Sequence, residues 1–185
     1  MTVNEIPVNI RCLEYRQESG DKDCGSCLYA RFYFNLDKYE LGIISDVGNY
    51  AYRWCADDEG FLNLMARIGE DYLLRKLCGE PQAFDYDATK EDLYDTYKDD
   101  EEAIEVLDKI FDELYYDEPQ TADEFIRRFD DENYSEDNPN EAYFSDTWEF
   151  PVLVYTAWQK KIVQVFADYI QPKIKEIIKE ERTAE

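Results

Sequence analysis

No histidine occurs among the 185 residues. That removes the commonest general base and the commonest neutral metal ligand, and with them catalysis and zinc binding built on imidazole. Basic residues are also scarce: 20 Lys and Arg stand against 44 Asp and Glu, a formal charge of −24 at pH 7. Glycine occupies only seven positions, and no Gly-rich phosphate loop or nucleophile elbow can be assembled from them. No apolar run approaches the roughly 18 residues that a membrane span needs. The N-terminal MTVNEIPVNIRC lacks a basic segment followed by an apolar one, so the expectation is a soluble protein of a bacterial cytoplasm with no membrane partner.

Five cysteines, Cys12, Cys24, Cys27, Cys55 and Cys78, are odd in number and dispersed, unlike a secreted disulfide framework. Cys24-Gly-Ser-Cys27 has the spacing of a zinc knuckle or redox pair. The second pair that zinc needs is missing, and the motif falls in a turn between strands rather than at the start of a helix. Asp85-Tyr86-Asp87-Ala88-Thr89 mimics the first positions of a calcium loop, but Lys90 stands where glycine belongs and Thr96 where glutamate belongs. Asp131, Asn133 and Ser135 fail in the same way at Glu136 and Ala142. No metal or cofactor is expected. Carboxylates are too common for two to be singled out as a catalytic pair, so the sequence predicts a protein that is not an enzyme.

What the chain does have is aromatic residues, 16 Tyr, 10 Phe and 3 Trp, and a hydrophobic fraction of 44%. An acidic disordered chain would be poor in aromatics, so the acid sits on a folded body. The charge is also local. Residues 1–79 carry 13 acids and 9 bases, residues 80–149 carry 26 and 5, and residues 150–185 carry 5 and 6. Adaptation to salt would spread the excess, whereas a concentrated field suits recognition of a basic partner.

Organisation follows the same thirds. VNIRCLEYR, CLYARFYFNL, YELGIISD and NYAYRW are rich in β-branched and aromatic residues and are separated by turn chemistry, which predicts a four-stranded antiparallel meander. GFLNLMARIGEDYLLRKLC repeats Phe61, Leu64, Met65, Ile68, Tyr72 and Leu73 at helical spacing, one amphipathic helix against a sheet face. The middle predicts acidic helices over Thr89–Tyr97, Asp99–Tyr116 and Thr121–Phe129, the last with a capping box of Thr121 and Glu124, then a loop over 130–140. Pro151 would open a long C-terminal helix with Val152, Tyr155, Ile162, Phe166, Tyr169 and Ile170 as its stripe, kinked or divided at Pro172. The expectation is one α+β domain over 1–185: sheet plus packed helix (1–79), acidic helical region (80–149) and C-terminal helix (150–185). That last helix either completes the core or pairs with its counterpart in a homodimer.

Between Tyr97 and Glu118 ten carboxylates face two lysines. Ala103, Ile104, Leu107, Ile110, Phe111 and Leu114 form the apolar stripe, while Glu101, Glu105, Asp108 and Asp112 line the opposite side without interruption. Like charges at that spacing cost an isolated helix about 0.2–0.5 kcal/mol per pair, so the row works against stability. At about 1.5 Å rise per residue its members fall roughly every 4.5–6 Å, near the spacing of charges along a nucleic-acid strand. Asp99, Asp100, Glu102, Glu113, Asp117, Glu118, Asp123, Glu124, Asp130, Asp131 and Glu132 extend the field, with Glu136 and Asp137 beyond. Tyr94, Tyr97, Tyr115, Tyr116, Tyr134 and Tyr143 are interleaved with it. Direct nucleic-acid binding is disfavoured, because phosphate would be repelled.

ISDVGNYAYRW followed by GFLNLMARIGEDYLLRKL resembles small accessory proteins of bacteriophages and mobile elements of Gram-positive bacteria, among them anti-CRISPR inhibitors of type II RNA-guided nucleases. The resemblance covers about Cys12 to Cys78 and transfers no binding residues. It implies a defence-evasion setting, in which a nucleic-acid-mimicking surface would engage a basic nucleic-acid-binding protein, the CRISPR effector nuclease with its guide RNA. The alternatives are an acidic phage regulatory or chaperone-like module for a basic protein, and a metal-dependent enzyme.

Overall fold

The computed structural model describes residues 3, 5–18, 20, 26–55, 59–133 and 142–184. It divides into two compact units, Met1–Glu80 with Thr156–Glu185, and Pro81–Tyr155.

In the first unit, β1 (Ile10–Arg16), β2 (Tyr29–Asn35), β3 (Glu40–Ser45) and β4 (Gly48–Arg53) form the expected antiparallel meander in chain order. Its alternation is that of a sheet covered on one face: Ala30, Phe32, Phe34, Leu41 and Ile43 are buried, while Arg31 and Ile44 between them are exposed. Register places Phe32 between Leu13 and Ile43. The β3–β4 turn needs glycine at position 48, where φ is +127° and an added Cβ would lie 2.7 Å from the Tyr50 hydroxyl. Asp46 in that turn accepts hydrogen bonds from Leu28 N (2.8 Å) and Tyr29 N (3.3 Å), tying the start of β2 to it.

The predicted single helix over 61–78 is two, α1 (Phe61–Arg67) and α2 (Glu70–Cys78), because Ile68 and Gly69 are extended. Glycine costs about 1 kcal/mol inside a helix, and the break lets Ile68 and Leu73 both enter the core. Of the expected stripe, Phe61, Met65, Ile68 and Leu73 are buried, Leu64 is half-buried and Tyr72 is exposed beneath the Lys76 ammonium.

The C-terminal expectation also needs correction. Pro151 does not open a helix; Val152 and Tyr155 lie in extended chain, and α6 (Ala157–Val165) starts at Thr156, whose hydroxyl and Gln159 form a complete capping box. The competing signal is Thr156-x-x-Gln159, a stronger helix start than the proline five residues earlier. The division expected at Pro172 is present, one residue before it. A π-turn over Phe166–Ile170, with Gln171 N–H bonded to Phe166 O five residues back, resets the helix so that Pro172 falls in the first turn of α7 (Gln171–Ala184), where its missing N–H is harmless. Ile162, Phe166 and Ile170 face the sheet core, with Phe166 against Phe32 at 5.9 Å, whereas Tyr169 is exposed.

Gln171 holds α1 in place: its Nε2 donates to Met65 O (3.1 Å) and Ile68 O (2.8 Å), two carbonyls at a helix end with no partner inside the helix. Gln171→Leu keeps the volume and strands both acceptors. It is expected to destabilise the first unit by about 2 kcal/mol in denaturant titration.

The second unit contains β5 (Ala83–Phe84), α3 (Tyr86–Tyr97), α4 (Glu101–Leu114), α5 (Ala122–Glu132), a 3-10 turn at Thr147–Glu149 and β6 (Leu153–Val154). β5 and β6 pair antiparallel, Ala83 with Val154 and Phe84 with Leu153, so the two ends of the unit meet. Buried Thr89 fixes the join, donating to Asp85 O (2.7 Å) and accepting from Val152 N (2.8 Å). The core is aromatic: Phe111, Phe125, Phe129 and Phe144 are buried together with Leu93, Leu107 and Ile110. Asp130, Asp131 and Glu132, expected in a loop, form the last turn of α5. Beyond Asn133, the rest of that expected loop, with Tyr134, Glu136 and Asp137, lies outside the described residues, as does Cys24.

Candidate functional site

α4 is built by the conflict between its two faces. Asp100 caps it, accepting from Ala103 N (3.0 Å), and Glu101 and Glu102 in the first turn suit the positive pole of the helix. Ala103, Val106, Leu107, Ile110, Phe111 and Leu114 are buried, and Ile104 is half-buried. The opposite side carries Glu101, Glu105, Asp108 and Asp112, all exposed. Lys109 flanks that row with Glu102 and Glu113, four residues after Glu105 and three before Asp112, so the basic residue of α4 borders the row without standing in it. Pro81–Tyr155 as a whole holds 25 acids and 5 bases.

The fifteen carboxylates singled out in the sequence fall into two groups. Five are bonded within the unit. Asp100 caps α4 and also accepts from the Tyr143 hydroxyl (3.4 Å); Asp108 accepts from the Tyr94 hydroxyl (2.7 Å); Asp130 accepts from the Thr147 hydroxyl (2.7 Å). Asp117 pairs with Arg128 (3.5 Å), whose guanidinium also donates to the Asp117 backbone carbonyl. Glu124 receives the Gln120 N–H (3.0 Å) while its own N–H donates to Thr121 (3.2 Å), so the predicted capping box is shifted by one residue on its return side.

The other ten, Asp99, Glu101, Glu102, Glu105, Asp112, Glu113, Glu118, Asp123, Asp131 and Glu132, are exposed and make no hydrogen bond or ion pair among the described residues. They are not all equivalent. On α5 the outward side of Asp123, Asp130 and Asp131 includes Arg127, an ordinary mixed face. The unbroken row belongs to α4 alone.

Tyrosines fix the row where they touch it. Burial, and then the bond to Asp108, pushes the Tyr94 hydroxyl well above its ordinary pKa, so it stays a donor far into the alkaline range. Tyr143 is raised for the same reasons, burial first and Asp100 next. Tyr94 and Tyr97 stack into the core against Phe111 (5.6 Å) and Phe144 (4.9 Å). Of the interleaved tyrosines, only Tyr115 and Tyr116 stand exposed among the described residues.

The other motifs take structural roles. Asp85, first residue of the calcium-loop lookalike, caps α3 by accepting from Ala88 N (3.0 Å), and Asp87 is on the helix. Among the described residues no three acidic or thiol side chains are grouped as a metal site. Cys27 is buried, its thiol donating to Asp46 (3.5 Å) and Tyr29 O (3.6 Å); burial, then the Asp46 charge, pushes it up to about 12, which makes it a packed thiol rather than a nucleophile. Among the described residues no helix is long and apolar enough to cross a membrane. The caps at Asp85 and Asp100 were readable from an acid placed three residues before alanine at a helix start. The bonds from Tyr94, Tyr143 and Thr147 join residues 14 to 43 positions apart and leave no local mark in the sequence.

No curated protein and no solved structure matches the chain. The model of a phage protein family, Phage_phiTE_072, matches residues 9–176. With that match running through β1, the acidic helices and the first turns of α7, the chain belongs to this phage family.

Proposed function

We propose that this phage protein is a non-enzymatic inhibitor that presents the outer row of α4 to the basic groove of a nucleic-acid-binding protein, in the place of a nucleic-acid strand. The observation that supports this reading is the row itself: Glu101, Glu105 and Asp112 have no partner among the described residues and share one side of a helix without an intervening base. Their mutual repulsion is a cost that burial of the other face does not require, and a row of arginines and lysines would offset it.

In its sharper form the partner is a type II CRISPR effector nuclease with its guide RNA, and inhibition is competition. Lysines and arginines that otherwise hold the PAM duplex or the heteroduplex backbone are occupied by carboxylates. The protein acts in the cytoplasm of the infected cell.

The test mixes the protein with purified effector and guide RNA, then measures target-DNA binding and cleavage at physiological salt. Inhibition is expected to be stoichiometric and to weaken as salt rises, because each carboxylate contact replaces a counterion-releasing phosphate contact. Inhibition no stronger than that of an unrelated acidic protein of similar charge would sink the effector assignment. Capture of another basic host or phage protein in the same salt-dependent way would favour a chaperone-like module instead.

A further inference from the structure

The sequence interleaves tyrosines with the acids of the second unit, but the structure separates them by fate. Tyr94, Tyr97 and Tyr143 are packed on the phenylalanine core or bonded to carboxylates. Tyr115 and Tyr116 are 69% and 91% exposed. The core does not ask for them: Leu114, immediately before, is 1% exposed and fills the last core position of α4. Two adjacent large rings left in solvent are the kind of feature that marks a contact surface, where aromatic anchors dominate binding energy.

Their position gives the chemistry of what they meet. Tyr115 keeps helical backbone angles (φ −60°, ψ −37°), so the pair projects one turn beyond Asp112, at the end of the carboxylate row. The rings meet edge to face, with centroids 5.5 Å apart and planes at 81°, and both stay exposed, with Asp112 one turn before them in the chain and Asp117 and Glu118 directly after. The last turn of α4 contains no Lys or Arg to complement the helix's negative pole. One guanidinium already sits at this corner: Arg128 donates to the carbonyl of Asp117.

We propose that Tyr115 and Tyr116 anchor the acidic surface on its partner by taking arginine side chains, and that they make the surface select guanidinium over ammonium. This rests on the reading of the α4 row as a surface for a basic partner. A carboxylate row attracts both cations, arginine somewhat more through its bidentate fork. A ring face beside a carboxylate widens the difference, because the planar, weakly hydrated guanidinium stacks on the ring while its N–H groups reach the carboxylate, whereas an ammonium over a ring, as Lys76 over Tyr72, holds more of its water.

The experiment uses the full chain and two fluorescently labelled homopeptides of equal length, one of arginine and one of lysine, titrated by anisotropy at physiological salt. The arginine peptide is expected to bind about tenfold tighter. The Tyr115→Ala/Tyr116→Ala double variant should lose most of that preference while keeping its affinity for the lysine peptide, and Tyr115→Phe/Tyr116→Phe should retain the preference. Both pairs are solvent-exposed substitutions, and far-UV circular dichroism checks that the helices remain. Equal binding of the two peptides by the wild type, or a preference that survives undiminished in the alanine variant, overturns the inference and leaves the acidic-surface reading standing. Equal weakening of both peptides in the alanine variant also overturns it, since the rings would then support the row without selecting. If neither peptide binds, the acidic-surface reading fails first and takes this inference with it.

Discussion

The triple variant Glu101→Lys, Glu105→Lys, Asp112→Lys is expected to weaken binding to the effector–guide complex by about two orders of magnitude, through faster dissociation, while its fold survives. The row loses three of its four carboxylates and gains three repulsive charges against a basic groove. Asp108 is left in place because it accepts the Tyr94 hydroxyl, and losing that bond would confound a binding defect with a folding one. Inside α4 the exchange costs little, about 1 kcal/mol at most. The lysines introduced at positions 105 and 112 become favourable neighbours of Asp108 but like-charge neighbours of Lys109, and the one at position 101 opposes both the helix pole and the lysine at 105, each effect worth a few tenths of a kcal/mol. An unchanged far-UV spectrum and a melting midpoint lowered by a few degrees at most, with inhibition lost and a shallower salt dependence in what remains, is the expected set of results. Retained inhibition would move the active surface away from α4.

The corresponding control comes from the other acidic helix. Asp123 and Asp131 on α5 share their side with Arg127, so Asp123→Lys/Asp131→Lys changes net charge by as much as two row reversals without touching the row. If inhibition depended only on total charge, this variant and a double reversal in the row would be equivalent. A row that is read as a row makes them unequal.

The sheet was legible because two independent patterns agreed there. Alternation in YARFYFN and ELGIIS gives the face, and the turn residues between them give the pairing, so chain order alone yields the meander. The helix over 61–78 was misread because its stripe runs on through Gly69 in the sequence, and only packing decides that Ile68 turns out of the helix and into the core. Of the two prolines, Pro151 misled and Pro172 did not. The first is a permitted helix start outcompeted by the capping box at Thr156, and the second marks the division between α6 and α7, although nothing local shows that a π-turn makes it.

The acidic site shows a sharper limit. Charge counting found the helix that bears the row, but it could not tell a carboxylate that caps or clamps from one that is free. Asp100 and Glu101 are neighbours with the same charge; one holds the helix and the other faces solvent. Tyrosine placement was equally mute, since Tyr94 and Tyr115 stand in similar acidic surroundings, and only the third dimension puts one ring on Phe111 and leaves the other open.

The second large effect is on stability, at Asn133. It is 1% exposed and makes a two-way bond with one residue: its Nδ2 donates to Phe144 O (2.8 Å) and its Oδ1 accepts from Phe144 N (2.8 Å). A side-chain amide thus stands in for a strand partner and returns the chain beyond α5 to the aromatic core, where Phe144 packs on Tyr97, Phe129 and Phe150. Asn133→Ala leaves a buried N–H and a buried C=O unpaired, at about 1–3 kcal/mol each, so a loss of about 4 kcal/mol is expected in chemical denaturation. Asn133→Asp separates this from packing, since it has the same shape and keeps the acceptor for Phe144 N but sets a buried carboxylate against the Phe144 carbonyl. It is expected to cost at least as much as alanine near neutral pH and to recover in part as acid protonates it and restores a donor. A loss below about 1 kcal/mol for both variants would show that water replaces the amide without penalty. The consequence reaches the row, because 14-residue α4 carries repelling charges and is marginal without the core beneath it. Binding and the stability of the second unit should therefore fall together in Asn133→Ala, whereas in the triple lysine variant binding falls nearly alone.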